Sequence, residues 1–150
     1  MTLRQCVVTV TITAALAASA APLAAQGGEK FTARLSAVPI PGPNERGNVT
    51  GKGAVTATLN GRRLTINGTF EGLPASATIA RLHQGIARGA RGAALTDLTI
   101  SKAASGTLSG SVDLTAPQVD ALRQGKLYIQ IHGEKGVAPD GSNLWGWLLK

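Results

Sequence analysis

Two histidines, five aromatic residues and one cluster of arginines are the groups in this chain of 150 residues that could do chemistry. His83 and His132 each close an alternating apolar run. Each is followed at once by glycine or by Gln84-Gly85. Imidazole is the commonest side-chain ligand for zinc or copper, so the pair is a candidate rim site for a metal. A tight zinc site takes three or four protein ligands. Beyond Cys6 the chain has no cysteine, and only four aspartates and four glutamates could add to the histidines. Arg81, two residues before His83, would repel a cation. The alternative role for both rings is to hydrogen-bond at strand ends and brace them.

A second group lies near the end. Leu144, Gly146 and Leu148 alternate with Trp145 and Trp147, and Leu127, Ile129 and Ile131 alternate with Tyr128, Gln130 and His132. If the two runs pair as strands with the aliphatic residues inward, Tyr128, Trp145 and Trp147 form an outer aromatic stripe with His132 beside it. Such a stripe suits sugar stacking, a protein partner or a dimer contact. Alternatively, the proline segment near 38–44 or a helix covers this face. A third candidate is Gly85-Ile-Ala-Arg-Gly-Ala-Arg-Gly92. Its glycines, with Arg88 and Arg91, could cradle an anion on backbone amides. It has no helix to follow and no lysine at the place a phosphate loop requires, so a plain rim loop is the favoured reading. There is no nucleophile elbow, no His-Glu-x-x-His and no Walker loop, and the chain is therefore not expected to be an enzyme.

The elements that must position these groups are strands. From Lys30 onward apolar residues recur with period two, as a half-buried strand requires. Phe31, Ala33 and Leu35 share one face, and so do Val55, Ala57 and Leu59. Leu64, Ile66, Gly68 and Phe70 continue the pattern after Asn60-Gly61. That pair predicts a two-residue type I′ hairpin between strands near 53–60 and 62–71. Further strands are expected at 77–83, 95–100 and 107–114, with a loop over 84–94. Three prolines within 39–43 stop the first strand. Thr115-Ala-Pro-Gln118 has capping-box spacing, and Gly125 supplies a stop, so one short helix is expected over about 115–124. Seven or eight short strands and one helix predict an all-β antiparallel β-sandwich. Its architecture would be Greek-key, immunoglobulin-like or superoxide-dismutase-like.

Residues 1–26 have the three-part layout of a secretory signal peptide: Arg4, an uncharged run from Cys6 to Ala18, and a small-residue stretch ending near Gln26. Val7 to Ala18 is too short to span a bilayer, which takes roughly 20 apolar residues. No transmembrane segment is expected after cleavage. The remaining residues, 27–150, are expected to form one secreted or periplasmic domain without disulfides. They carry 14 basic and 8 acidic residues once Arg4 is set aside from the 15. That excess permits an acidic partner. Nucleic acid is not expected, because no aromatic is interleaved with the arginines.

The pieces also occur in a known order. Phe31-Thr-Ala-Arg-Leu-Ser-Ala-Val-Pro39, the glycine-led strand Gly51 to Gly61, and Phe70-Glu-Gly-Leu73 are followed by Ala80-Arg-Leu-His83, the helix, and Gly125-Lys-Leu-Tyr-Ile-Gln-Ile-His132. A turn and Leu144-Trp-Gly-Trp-Leu148 complete the run. The whole resembles the CHRD domain, the chordin-type module that occurs singly in many bacterial secreted proteins. The resemblance implies a fold and an exported location without an assigned activity. It also marks departures. Arg81 stands where many members carry the first histidine of His-x-His, Asn143 where they carry glutamate, and Trp145 where they carry arginine. The combined expectation is a non-catalytic binding or structural module whose partner is an unidentified protein or polysaccharide. No cofactor is expected, with zinc or copper at His83 and His132 as the alternative.

Overall fold

A computed structural model describes residues 27–40 and 42–150; the expected signal segment, 1–26, lies outside them. Eight strands run in the order β1 (Glu29–Ala37), β2 (Lys52–Asn60), β3 (Arg63–Glu71), β4 (Ala77–Gly85), β5 (Gly92–Ile100), β6 (Gly106–Asp113), β7 (Leu127–Val137) and β8 (Ser142–Trp147). One helix, α1 (Ala116–Arg123), lies between β6 and β7, and a 3₁₀ helix at Pro43–Asn48 follows β1. All pairings are antiparallel, and the strand order is β1-β2-β3-β6-β5-β4-β7-β8, closing back on β1.

The expected sandwich is therefore corrected to a closed eight-stranded barrel. All-β, antiparallel and one short helix hold; two separate sheets do not. The reason lies in β1 and β5, which each pair on both sides. β1 gives Glu29 to Leu35 to β2, then Ser36 and Ala37 to Trp145 and Leu144 of β8. Thr32 and Leu149 add two backbone hydrogen bonds to this join, at 2.7 and 2.9 Å. β5 pairs with β4 over most of its length, then hands Thr99 and Ile100 to Ser109 and Leu108 of β6. Period-two patterning tells which face is buried, but a sandwich and a small barrel bury the same face. An eight-stranded barrel is just wide enough for its own side chains to fill.

Alternation places the core as expected. Phe31, Ala33, Leu35, Val55, Ala57, Leu59, Leu64, Ile66 and Phe70 all point inward and are buried. The outward positions of β2, β3 and β6 are mostly threonine, serine, asparagine and charged residues. A lipid-facing barrel needs the reverse arrangement. The hairpin between β2 and β3 forms, but Asn60 pairs with Arg63, so its loop is Gly61-Arg62. Only Gly61 has positive φ, at 61°, which is the pattern of a II′ turn instead of the expected I′.

The helix matches its sequence signals. Thr115 Oγ1 accepts from the Gln118 amide at 3.4 Å, and Gln118 Oε1 accepts from the Thr115 amide at 2.8 Å. Gly125, at φ 69°, ends it by donating to the Leu122 carbonyl. Val119, Ala121 and Leu122 join the core, so α1 plugs one end of the barrel on its way from β6 to β7.

Candidate functional site

The candidate residues meet on the outer face of β4, β7 and β8. Leu127, Ile129, Ile131, Leu144 and Leu148 are buried inside the barrel. The alternate positions therefore face out, as expected. Register sets the neighbours: His83 is opposite Tyr128, Arg81 opposite Gln130, Tyr128 opposite Trp147, and Gln130 opposite Trp145. The rings make contact. His83 stacks on Tyr128 with centroids 4.9 Å apart, and Tyr128 meets Trp147 at 4.5 Å and Trp145 at 6.1 Å. The two indoles lie edge to face at 5.9 Å. Arg91 reaches over the Trp145 ring, 5.7 Å from its centroid, within cation–π range.

This outer face is partly covered. Tyr128 is only 1% exposed, and Gln130 and His132 are buried too, while Trp145 and Trp147 are half-buried. Two segments do the covering. Val38 and Val49, on either side of the 3₁₀ segment, pack with Trp145 and with Val137 at the end of β7. Residues 86–91 fold across from the β4–β5 connection, bringing the Gly92 amide to the Tyr128 hydroxyl at 3.2 Å. That connection is shorter than the expected 84–94 loop, because β4 runs on to Gly85 and β5 starts at Gly92. Gly85 permits the approach: a Cβ there would lie 2.8 Å from the Trp147 ring and 2.3 Å from the Ala90 carbonyl oxygen.

His83 and His132 are not neighbours. Their strand positions are offset by four residues, a backbone rise of about 13 Å at ~3.3 Å per residue, with Arg81 and Gln130 between. Arg81 turns to Asp97 on β5, Nε to Oδ1 2.8 Å. His83 Nδ1 is 3.1 Å from the Gly92 carbonyl, and His132 Nδ1 is 3.1 Å from the Asp140 carbonyl. A carbonyl only accepts, so each Nδ1 donates in these bonds. Both Nε2 atoms are buried without a partner, as is Asn143 Oδ1. Among the described residues, no group of three His, Cys, Asp or Glu side chains is placed to hold a metal ion. Burial is the main effect pushing the His83 pKa below its ordinary 6.5, and its bond to Gly92 opposes it; the fields of His132 and Arg81 push the same way as burial.

A polar network beside His132 had no sequence-level signal beyond the turn residues Asp140-Gly-Ser142. Ser142 donates its hydroxyl to Asp140 Oδ1 at 2.6 Å, and the Ser142 amide donates there at 3.1 Å. Gln130 Nε2 donates to Ser142 Oγ at 2.5 Å. Desolvation raises the Asp140 pKa, but the Ser142 hydrogen bonds and the His132 field outweigh it, and the net shift is downward. Asn143 Nδ2 donates to the Asn48 and Lys135 carbonyls, both at 3.1 Å, tying the 3₁₀ segment to the face.

Open depressions lie on the opposite wall. One is lined by Arg34, Lys52, Phe70 and Glu71, and another by Thr56, Asn67, Thr69 and Ser109. None of the buried, unpartnered side-chain atoms found among the described residues lies there.

The family model for the CHRD domain matches residues 31–140. The chain belongs to the CHRD domain family. The match takes in His83, Arg88, Arg91, Tyr128 and His132, and stops at Asp140, before β8. Trp145 and Trp147 thus lie beyond the residues by which the CHRD domain is matched. A search of curated proteins gave no match.

Proposed function

We propose that this CHRD domain is an exported, non-catalytic binding module, and that it binds through the β4–β7–β8 outer face. The observation that carries the reading is the contiguous set Tyr128, Trp147 and Trp145 with Arg91 at its margin. Half-buried indoles fixed by neighbours present rigid apolar faces at low entropic cost. The fitting ligand has a flat apolar side and polar edges: a sugar ring of a polysaccharide, or a planar side chain of a protein partner.

Tryptophan fluorescence tests it. Acrylamide should quench part of the emission, and a soluble polysaccharide panel should contain a member that shifts the emission and protects it from acrylamide. Trp147→Ala should abolish the response. Indoles wholly inaccessible to acrylamide would remove the reading.

A second reading is zinc or copper held at His83 or His132. The two unpartnered, buried Nε2 atoms favour it, since an Nδ1 bound to a carbonyl is the usual support for an Nε2 ligand. The four-residue offset of the two histidines along the strands and the presence of Arg81 weigh against a shared ion. Zinc or copper should then raise Tm, and His83→Ala with His132→Ala should abolish the rise. An unchanged Tm in the unmutated protein would exclude it.

A further inference from the structure

Charge is distributed unevenly along the barrel axis. The end plugged by α1 is built from the start of β1, the β2–β3 turn, the 86–91 loop, residues 113–126 and Lys150. These segments carry eight lysines and arginines against Glu29, Asp113 and Asp120. The segments of the opposite end carry four basic and four acidic residues. Nearly all of the net positive charge therefore sits at the α1 end. At the same end, Ile86 is 83% exposed. The other exposed large hydrophobic among the described residues, Ile40, reaches only 37%. Ile86 stands on the 86–91 loop with Arg88 and Arg91 close in sequence and small residues between them.

A lone exposed isoleucine needs no explanation, and neither does a solvated arginine. Their coincidence on one end of a charge-polarised molecule does. A polyanion in water would attract the arginines but gain nothing from an isoleucine. An anionic lipid surface uses both, taking the cations at its headgroups and the apolar side chain at the acyl boundary. We infer that the α1 end of the barrel docks on anionic lipid surfaces, with Ile86 entering the interface and Arg62, Arg88 and their neighbours contacting headgroups. This site adjoins the aromatic face, sharing the 86–91 loop and Arg91 with it, but its test leaves Trp145, Trp147 and Arg91 unchanged.

Co-sedimentation of the purified protein with vesicles tests the inference. The protein should bind vesicles containing phosphatidylglycerol, not phosphatidylcholine alone, and high salt should release it. Ile86→Ser should weaken binding about tenfold. Arg62→Glu with Arg88→Glu should weaken it at least about a hundredfold. Arg46→Glu with Lys135→Glu, at the neutral end, should leave it unchanged. Circular dichroism of each variant should match the parent. Failure to bind anionic vesicles overturns the inference. So does binding indifferent to Ile86, which would indicate an acidic polymer as the partner, and so does an equal loss from the charge changes at the neutral end.

Discussion

The His83 ring is held between Tyr128 and the Gly92 carbonyl, where a charged imidazole is disfavoured. The folded state thus binds fewer protons at this position than the unfolded chain. Stability is therefore full above the ordinary pKa of 6.5 and falls as pH drops below it, until the folded-state ring also protonates. Thermal melts should show Tm declining from pH 7 to pH 5, and His83→Gln should flatten that decline. Gly146 gives a second prediction. A Cβ there would lie 2.6 Å from the Arg34 carbonyl oxygen, where β1 crosses β8. Gly146→Ala should cost about 1–3 kcal/mol in denaturant melts by overpacking the join. At this scale the sequence was partly legible. Alternation placed Tyr128, Trp145 and Trp147 on one outer face and their neighbours inside. It could not tell that Tyr128 is buried, because the groups packed on it, His83, Gly92, Trp145 and Trp147, come from other strands, remote in sequence.

Elements followed local chemistry closely where that chemistry is self-contained. The Thr115 capping box and the Gly125 stop delimit α1 within the chain itself, and Thr115→Ala should destabilise the fold by about 1 kcal/mol. Glu29 fastens this helix to β1. Arg123 and Lys150 both hydrogen-bond its carboxylate, and they lower its pKa from 4.5 to about 2. A lowered carboxylate pKa contributes stability above pH 4.5 that is lost as pH falls toward 2. Glu29→Gln should remove that part of the acid response in melts taken across this range. The β4–β5 connection was less legible. Gly85 and Gly92 signal a loop by composition, yet both lie in strands because the Trp147 ring and the Gln84 carbonyl leave no room for a side chain.

Closure was not legible at all. Each strand looks the same to its own sequence whether the eight form two sheets or one ring. The deciding contacts are short: two residue pairs between β5 and β6, and two between β1 and β8 with the Thr32–Leu149 bridge. β4 and β7, by contrast, pair over most of β4. Hydrogen exchange should follow that difference, with amides at Ser101 and Thr107 beside the β5–β6 join exchanging well before those of Leu82 and Ile129. Uniform protection around the barrel would contradict the two joins being its weak points.

The ion pair between Lys150 and Glu29, 2.9 Å long, has a consequence for modular use. It brings the first strand and the last residue of the chain side by side. Such a unit can be spliced into a loop of a host protein, entering and leaving through one narrow gap, without stretching either partner.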